Sequence, residues 1–499
     1  MLSPHVESLM AQFAHEGLTF DDVSLVTQYA DFQPHEASIT SQFSRNIQLH
    51  TPFVSAAMDT VTEADMAIAM ALAGGIGVVH KNLTEEKQAD EVRRVKTYLN
   101  GLIENPVCFR DSMTIEELLT EKSARKFKFT GFPILDDSGK LVGILTARDV
   151  KFVTDSSILV RDVMTTELIT APVGTSLEDA FRIMMRDRVG KLPLMKNDGT
   201  LAGLYSFHDV KSLIENDEPN VTRDEHFRLR VAAAISPNDF QRADLLAKAG
   251  VDALVVDTAH GFTKGVIDTV KALKSTYQAV DIIAGNVASS DAARALLEAG
   301  ADAIKVGVGP GSICTTRVVC GVGVPQLSAV HDVYTGISGE IPVIADGGIK
   351  YSGYVPKAMA VGASVVMMGS ALAGTQESPG EKILHQGRTY VVYRGMGSME
   401  AMEKGKGSRE RYGQGDVNDT SKLVPQGIEG LVQYRGTVND VLTQFAGGLR
   451  FSLGYCGAKD LSALRATARL VRITSAGLRE AHPHDVRIVK DAPNYSPGE

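Results

Sequence analysis

The 499-residue chain has no tryptophan and only four cysteines, Cys108, Cys314, Cys320 and Cys456. Thiols this few and scattered do not make a disulfide framework, and without a CxxC pair they suggest no zinc site. A special cysteine here must be special by its surroundings. No apolar run approaches the roughly 20 residues that span a bilayer. The N-terminal MLSPHVESLMAQFAHEG carries acids and histidines where a secretory signal needs a basic start and an apolar core. A cytoplasmic protein without a membrane partner is expected. Cationic excess is missing too: 51 basic against 60 acidic residues leave −9. That argues against a broad nucleic-acid face, although backbone N–H groups can still build a phosphate site. The missing tryptophan excludes nothing. What is present, 44% hydrophobic and 22% charged residues, is a globular balance on a chain too long for one ordinary domain of about 150 residues.

One phrase recurs: an alanine-rich helical stretch, a glycine, then a short β-branched run. It stands at Ala247-Lys-Ala-Gly250 before ALVVD, Leu297-Glu-Ala-Gly300 before AIKVG, Met359-Ala-Val-Gly362 before SVVMMG and, more loosely, Ala71-Leu-Ala-Gly74 before IGVVH. Such a phrase reads as a helix closed by a C-cap glycine that feeds a buried parallel strand. Pro52-Phe-Val-Ser55, Arg230-Val-Ala-Ala-Ala234, Ile282-Ile-Ala-Gly285 and Ile341-Pro-Val-Ile-Ala-Asp346 bring the strands to about eight. Eight favours an α/β fold of the (β/α)8 TIM-barrel type over an open doubly wound sheet. Polar residues and glycines (Asp257, Asn286, Gly307, Asp346, Gly369) gather just after strands, where a barrel places its active site.

Residues 105–217 break this rhythm with a repeat of their own at an offset of 60. The expected organisation is a first barrel part over 1–104, an insert with copies at about 105–155 and 160–217, and a second barrel part over 218–499. Phe132-Pro-Ile-Leu matches Leu192-Pro-Leu-Met, and Asp149-Val-Lys matches Asp209-Val-Lys. Each copy follows an amphipathic helix with a Ser/Thr N-cap and an acid three residues on. The copies resemble a tandem pair of cystathionine-β-synthase-type (CBS) repeats. Such pairs commonly bind adenine nucleotides, which implies a regulatory site at Thr146 and Asp149, or at Ser206 and Asp209. A purely structural duplicated module is the alternative.

After the strand Ala303-Ile-Lys-Val306 runs Gly307-Val-Gly-Pro-Gly-Ser-Ile-Cys-Thr-Thr-Arg-Val-Val-Cys-Gly-Val-Gly-Val-Pro-Gln326. Glycines at this density make a loop whose bare backbone can approach a ligand. Cys314 lies at its centre among Ser312, Thr315, Thr316 and Arg317. A thiol beside a cation and free N–H groups is a candidate nucleophile of lowered pKa. Ala345-Asp-Gly-Gly-Ile349 and Met368-Gly-Ser-Ala371 end the last two strands. Loops there commonly hold a phosphate, so a phosphorylated small molecule is implied. Between Arg394 and Gln426 the chain is polar and glycine-rich, either disordered or a moving lid.

Taken together, the chain resembles the inosine 5′-monophosphate (IMP) dehydrogenases of the bacterial type. The resemblance runs from Gly17-Leu-Thr-Phe-Asp-Asp22 through Ala56-Ala-Met-Asp-Thr-Val61 and Asp257-Thr-Ala-His-Gly261 to the cysteine loop and Ile428-Glu-Gly430. Gly309-Pro-Gly-Ser-Ile-Cys-Thr-Thr-Arg317 is shared in close form by guanosine monophosphate (GMP) reductases, so it does not separate the two. A flap with an Arg-Tyr pair, matched by Arg411 and Tyr412 at about 394–426, and the CBS insert both point to the dehydrogenase. GMP reductase activity, or a catalytically silent nucleotide-sensing barrel, are the alternatives.

The resemblance implies that the Cys314 thiolate adds to C2 of IMP, that hydride leaves to NAD, and that the resulting thioimidate is hydrolysed to xanthosine 5′-monophosphate (XMP). This is the committed step of guanine nucleotide synthesis. Arg411 would activate water, an unusual role for a side chain that ordinarily stays protonated, assisted by Tyr412 and Thr316. The IMP phosphate would meet Ser312, Gly348, Gly369 and Ser370 with Tyr393 nearby, and Asp346 the ribose. Met396, Gly397 and Glu429 would face the base, and Met58 would line the pocket. NAD would meet Asp257, Thr258, Asn286, Gly307, Gly309 and Arg317. A potassium ion would bind carbonyls of Gly309, Gly311 and Cys314, completed by a neighbouring subunit near Glu480, Ala481 and His482. A homotetramer, stacked into an octamer when nucleotide binds the CBS pair, is implied by the same analogy. Two positions depart from the family: Cys320, more often a small aliphatic, and Gly413, often an aromatic.

Overall fold

The computed structural model describes residues 1–98, 102–103, 106–124, 131–151, 153–215, 220–417, 419–489 and 492–495. The chain divides into two compact units. The first comprises Met1–Lys96, Asn220–Arg223 and Leu229–Glu499, and the second Thr97–Pro219 with Asp224–Arg228. The insert ends expected at 105 and 217 lie just inside the second unit, on positions outside the described residues.

In the first unit, eight parallel strands close into a barrel. They are β1 (Phe53–Ser55), β2 (Ile76–Val79), β3 (Ala232–Ile235), β4 (Ala253–Asp257), β5 (Asp281–Val287), β6 (Ala303–Val306), β7 (Val343–Asp346) and β8 (Val365–Met368), in the order β3-β4-β5-β6-β7-β8-β1-β2. Closure is made by β8 on β1 (Val366 opposite Phe53) and β2 on β3 (Val78 opposite Ala232). Val54, Val78, Val255, Ile283 and Ile344 fill the interior with Ala232, Ala234, Ala253 and Ala303, all fully buried. This is a packed core, as small barrels require.

The helices are α1 (Ala64–Leu72), α2 (Glu85–Thr97), α3 (Phe240–Lys248), α4 (Lys264–Thr276), α5 (Ser290–Glu298), α6 (Gln326–Gly336) and α7 (Tyr354–Ala360). Four of the helix-to-strand turns carry the recurring glycine. Gly74, Gly250, Gly300 and Gly362 have φ of +82°, +88°, +95° and +121°, values an L side chain rarely adopts. Capping fixes the starts as well: Asp239 accepts from the Arg242 amide and Thr263 from Val266.

The second unit holds the repeat twice over. The hairpin Gly131–Leu135 with Leu141–Thr146 has its register shift at Ile134/Leu135, and the hairpin Lys191–Met195 with Leu201–Ser206 shifts at the equivalent Leu194/Met195. Each copy has its own apolar cluster, centred on Phe132, Ile134 and Leu145 in one and on Leu192, Leu194 and Met184 in the other.

Candidate active site

Every residue of the site lies at or beyond the C-terminal end of a barrel strand. The loop after β6 ties itself together through Arg317, whose guanidinium donates to the carbonyls of Val308 (3.0 Å) and Val324 (2.6 Å). Its stem lies so close to Gly309 and Gly323 that a Cβ on either would come within 2.6 Å of Arg317 Cγ. Arg317, which the resemblance assigns to the cofactor, is thus also a tie within the loop. Cys314 is fixed by its amide on the Gly311 carbonyl (3.1 Å), and its Sγ lies 3.1 Å from the Thr316 hydroxyl and 3.7 Å from the Gln426 carbonyl.

Beside the thiol, the ends of β4 to β7 form a charged cluster. Lys305, fully buried, bridges Asp257 Oδ1 and Asp346 Oδ2, each at 2.8 Å, and also meets Asn286 Oδ1. Asn286 donates to the Gly307 carbonyl (2.8 Å) and to Asp346 Oδ2 (2.9 Å). Asp257 is ion-paired to Lys305 and to Arg411, yet both its buried oxygens lack a well-aligned hydrogen-bond donor. A buried carboxylate in that state has unused acceptor capacity. Thr258 donates instead to the Gly285 carbonyl (2.7 Å).

On the opposite wall, the glycines after β7 and β8 bare the backbone. A Cβ on Gly369 would sit 2.8 Å from the Tyr393 hydroxyl and 3.0 Å from Met58 Sδ, and one on Gly348 would touch Phe20. Ser370 opens a one-turn helix, Ser370–Ala373. Burial raises the Tyr393 hydroxyl pKa, against a hydrogen bond with Ser312.

The flap is more ordered than its composition suggests. It contains two short helices, α8 (Met399–Lys404) and α9 (Lys406–Arg411). Ser398 caps the first by accepting from the Ala401 amide (3.2 Å), a signal the sequence carried. Arg411 meets Asp257, its carbonyl accepts from the Ala259 amide (2.9 Å), and Glu410 accepts from Ser236 (2.6 Å). The Tyr412 ring covers Gly397, and the Ser408 hydroxyl reaches the buried Met396 carbonyl. Gly413 turns the chain at φ +68°, so glycine suits this place better than an aromatic. Glu429 pairs with Arg394 at 3.5 Å.

A cavity of about 120 Å³ is lined by Met58, Asp257, Asn286, Gly307, Gly309, Gly311, Cys314, Asp346, Gly369, Tyr393, Met396, Arg411 and Tyr412. It is smaller than ordinary ligand sites of about 300–1,000 Å³, and five residues of the flap segment, Gly395, Met396, Arg411, Tyr412 and Gln426, form part of its wall. A second cavity of 770 Å³ lies on the other side of Arg411 and Tyr412, lined by Thr258, Thr316 and Cys320. Glu480, Ala481 and His482 are not among its lining residues; His482 meets Tyr351 edge-on and Tyr495 at a tilt. In the second unit, Asp149 Oδ2 accepts from both the amide and the hydroxyl of Thr146 (2.7 Å each), whereas Ser206 makes no capping bond.

Several members of the site escaped the sequence reading: Lys305, Lys81, Gln426 and the bidentate pair Arg394–Asp59 (3.1 and 2.7 Å). Lys81 is fully buried, donates to the Asp257 carbonyl (2.7 Å), and has its pKa pushed well down by burial and by Arg411. A lysine inside the apolar run Ala303–Val306 is a signal that could have been used, since an unpaired buried charge is too costly to keep.

The fold and site define a (β/α)8-barrel enzyme in which a cysteine loop, glycine-bared backbone and an overlying flap meet around one cavity. The sequence matches the IMP dehydrogenase / GMP reductase domain over residues 17–484, and the chain belongs to that family. It is 50% identical to inosine-5′-monophosphate dehydrogenase of Halalkalibacterium halodurans, over 97% of this chain and 99% of the relative. It is 52% identical to the enzyme of the same name from Staphylococcus aureus, with the same coverage. Its fold is similar to the crystal structure of a cysteine-to-alanine variant of Trypanosoma brucei GMP reductase in complex with guanosine 5′-monophosphate. That similarity has a TM-score of 0.83 at 38% identity and covers 94% of this chain and 98% of the reductase. A reductase matched over that span includes a counterpart of the insert, so the insert does not separate the two activities, contrary to expectation.

Proposed function

We propose that this chain is an NAD-dependent IMP dehydrogenase, an oxidoreductase converting IMP to XMP. The observation that carries it is Arg411-Tyr412 seated between the Cys314 loop and Asp257. Cys314 Sγ forms the bond to C2 of IMP. Hydrolysis of the resulting thioimidate places a water oxygen on C2, breaks the C–S bond and returns the thiol. Asp346, with one oxygen already held by Lys305 and Asn286, keeps Oδ1 for the ribose. Gly348, Gly369, Ser370 and Ser312 take the phosphate through N–H and O–H donors, with Tyr393 behind them. Met58, Met396, Gly397 and Glu429 hold the base.

Asp257 fits the cofactor because a ribose diol supplies the donors its oxygens lack. Thr258, Asn286, Gly307 and Gly309 border the same place, and Arg317 acts there through the shape of the loop. NAD, when bound, accepts the hydride from C2. Arg411 holds the same carboxylate, so flap and cofactor compete for Asp257. With the flap seated, Arg411 orients or deprotonates the water, and Tyr412 and Thr316 complete the hydrogen bonding. For potassium, among the described residues the carbonyls of Gly309 and Cys314 accept no hydrogen bond, while that of Gly311 accepts from Cys314. Hard carbonyl oxygens suit such an ion, with Glu480, Ala481 and His482 of a second copy completing the site. Its charge would order the loop.

The second unit is proposed as a regulatory CBS pair binding adenine or guanine nucleotides. Ser206 and Asp209 are freer for a ligand than the self-satisfied Thr146 and Asp149. The assembly is proposed as a homotetramer that stacks to an octamer. No helix among the described residues is long and apolar enough to cross a membrane, in keeping with a cytoplasmic enzyme. The second reading, GMP reductase, rests on the fold shared with the T. brucei structure, which at 38% identity is more distant than the dehydrogenases. Purified protein given IMP and NAD is expected to yield NADH and XMP in equal amounts. NADPH-dependent deamination of GMP, without IMP oxidation, would overturn the assignment.

A further inference from the structure

Asn82 follows β2 and has no place in the chemistry above, yet its buried side chain bonds the flap at two separate points. Its Nδ2 donates to the Ala401 carbonyl (3.1 Å) and to Asp59 Oδ2 (2.9 Å), and its Oδ1 accepts from the Ser408 amide (3.3 Å). The three bonds agree on one orientation of the amide, since both acceptors face nitrogen and the donor faces oxygen. Ala401 belongs to α8 and Ser408 to α9, so one side chain pins both flap helices. One flap glycine makes room for its side chain and a second for the backbone just before it. A Cβ on Gly405 would fall on Asn82 Oδ1, and one on Gly407 on the Lys81 carbonyl. Gly405 has φ −158°, extended backbone open to any residue, so its lack of a side chain answers to Asn82 and not to conformation.

We propose that Asn82 is a positioning residue for the hydrolytic half of the reaction: a latch on the barrel that seats α8 and α9 and thereby sets Arg411 over the thioimidate. The inference rests on the flap reading above. With the flap away the latch keeps only its Asp59 bond, and the two bonds to α8 and α9 exist in the seated state alone, so they favour that state over the one that takes up the cofactor.

The test is a rapid-mixing experiment on the full-length protein with IMP and NAD, following the NADH burst and the steady-state rate. In Asn82→Ala the burst should keep its amplitude and its rate within about twofold. The steady state should fall about tenfold, the scale of two lost hydrogen bonds, with the cysteine adduct accumulating in quenched samples by mass. Gly405→Ala should give the same split, because its Cβ displaces the same amide. The double variant should be no slower than Asn82→Ala, since removing the amide relieves the collision. A burst of full amplitude reports folded sites, so misfolding cannot imitate this pattern. Equal losses of burst and steady state, or a steady state unchanged in Asn82→Ala, overturn the latch. Arg411→Ala run in parallel separates the two ideas. If it splits the steps and Asn82→Ala does not, the latch fails and the flap reading stands; if it does not split them, both fail.

Discussion

Residues 307–326 are tied largely from within: Arg317 bonds two carbonyls of its own loop and the Cys314 amide bonds Gly311, while the Thr315 amide reaches the Gln426 carbonyl at the end of the flap segment. The flap over 394–426 is held from outside, by the Asp257–Arg411 ion pair, the Ser236–Glu410 bond, the Ala259 amide and the Asn82 amide. A self-tied loop keeps its shape whatever faces it. Polar contacts to the barrel can each be exchanged for water at a net cost of about 0.5–1.5 kcal/mol. On the proposed function, the difference matches a part that stays constant through two chemical steps and a part that leaves between them.

The contrast can be broken at several points, and the largest effect is expected at the thiol. Cys314→Ala should abolish both NADH and XMP formation, because no bond to C2 can form; a surviving NADH burst would show that another residue is the nucleophile. Arg411→Ala should leave the burst largely intact while slowing turnover about 10²–10⁴-fold, the usual range for a lost acid–base group. Equal loss in both phases would remove the division of labour between loop and flap. Arg317→Ala tests the other side. Losing the tie should lower burst and steady state together, by about tenfold, and a selective effect on hydrolysis would contradict a loop that serves both steps.

The smallest effect concerns stability. Burial pushes the Asp59 carboxyl up, but the bidentate Arg394 guanidinium and Asn82 outweigh it and hold the carboxyl below its ordinary value. A native value below the unfolded one stabilises fully above the unfolded pKa of about 3.9. That contribution is lost as pH falls through the native value. Asp59→Asn should cost about 1–3 kcal/mol near neutrality and lose less than the parent between pH 5 and 3, measured by urea unfolding of the barrel. A parallel decline would show that Arg394 does not depend on the charge.

The barrel was legible because each β/α unit announces itself locally. Gly250 and Gly300 end helices, and the runs after them are too apolar to be anything but buried strands. Cys314, Asp257, Asn286 and Asp346 were legible because they stand where those strands stop. Lys305 was hidden by a neighbour effect: its partners Asp257 and Asp346 lie 48 residues before it and 41 after it, and only closure of β4 to β7 brings them together. The flap helices were missed because six residues each are too short to show an apolar period. Arg317, placed by resemblance on a cofactor, turned inward once the loop closed.

By itself the sequence determined the repeated β/α unit, the duplicated insert and the chemistry-bearing residues, since capping, apolar runs and glycine turns act over a few residues. The tertiary structure decided which charges share a site and what holds the flap. Those depend on contacts between Asn82 and Ser408, or Asp59 and Arg394, more than 300 residues apart, and no local propensity encodes a contact that exists only after the barrel has closed.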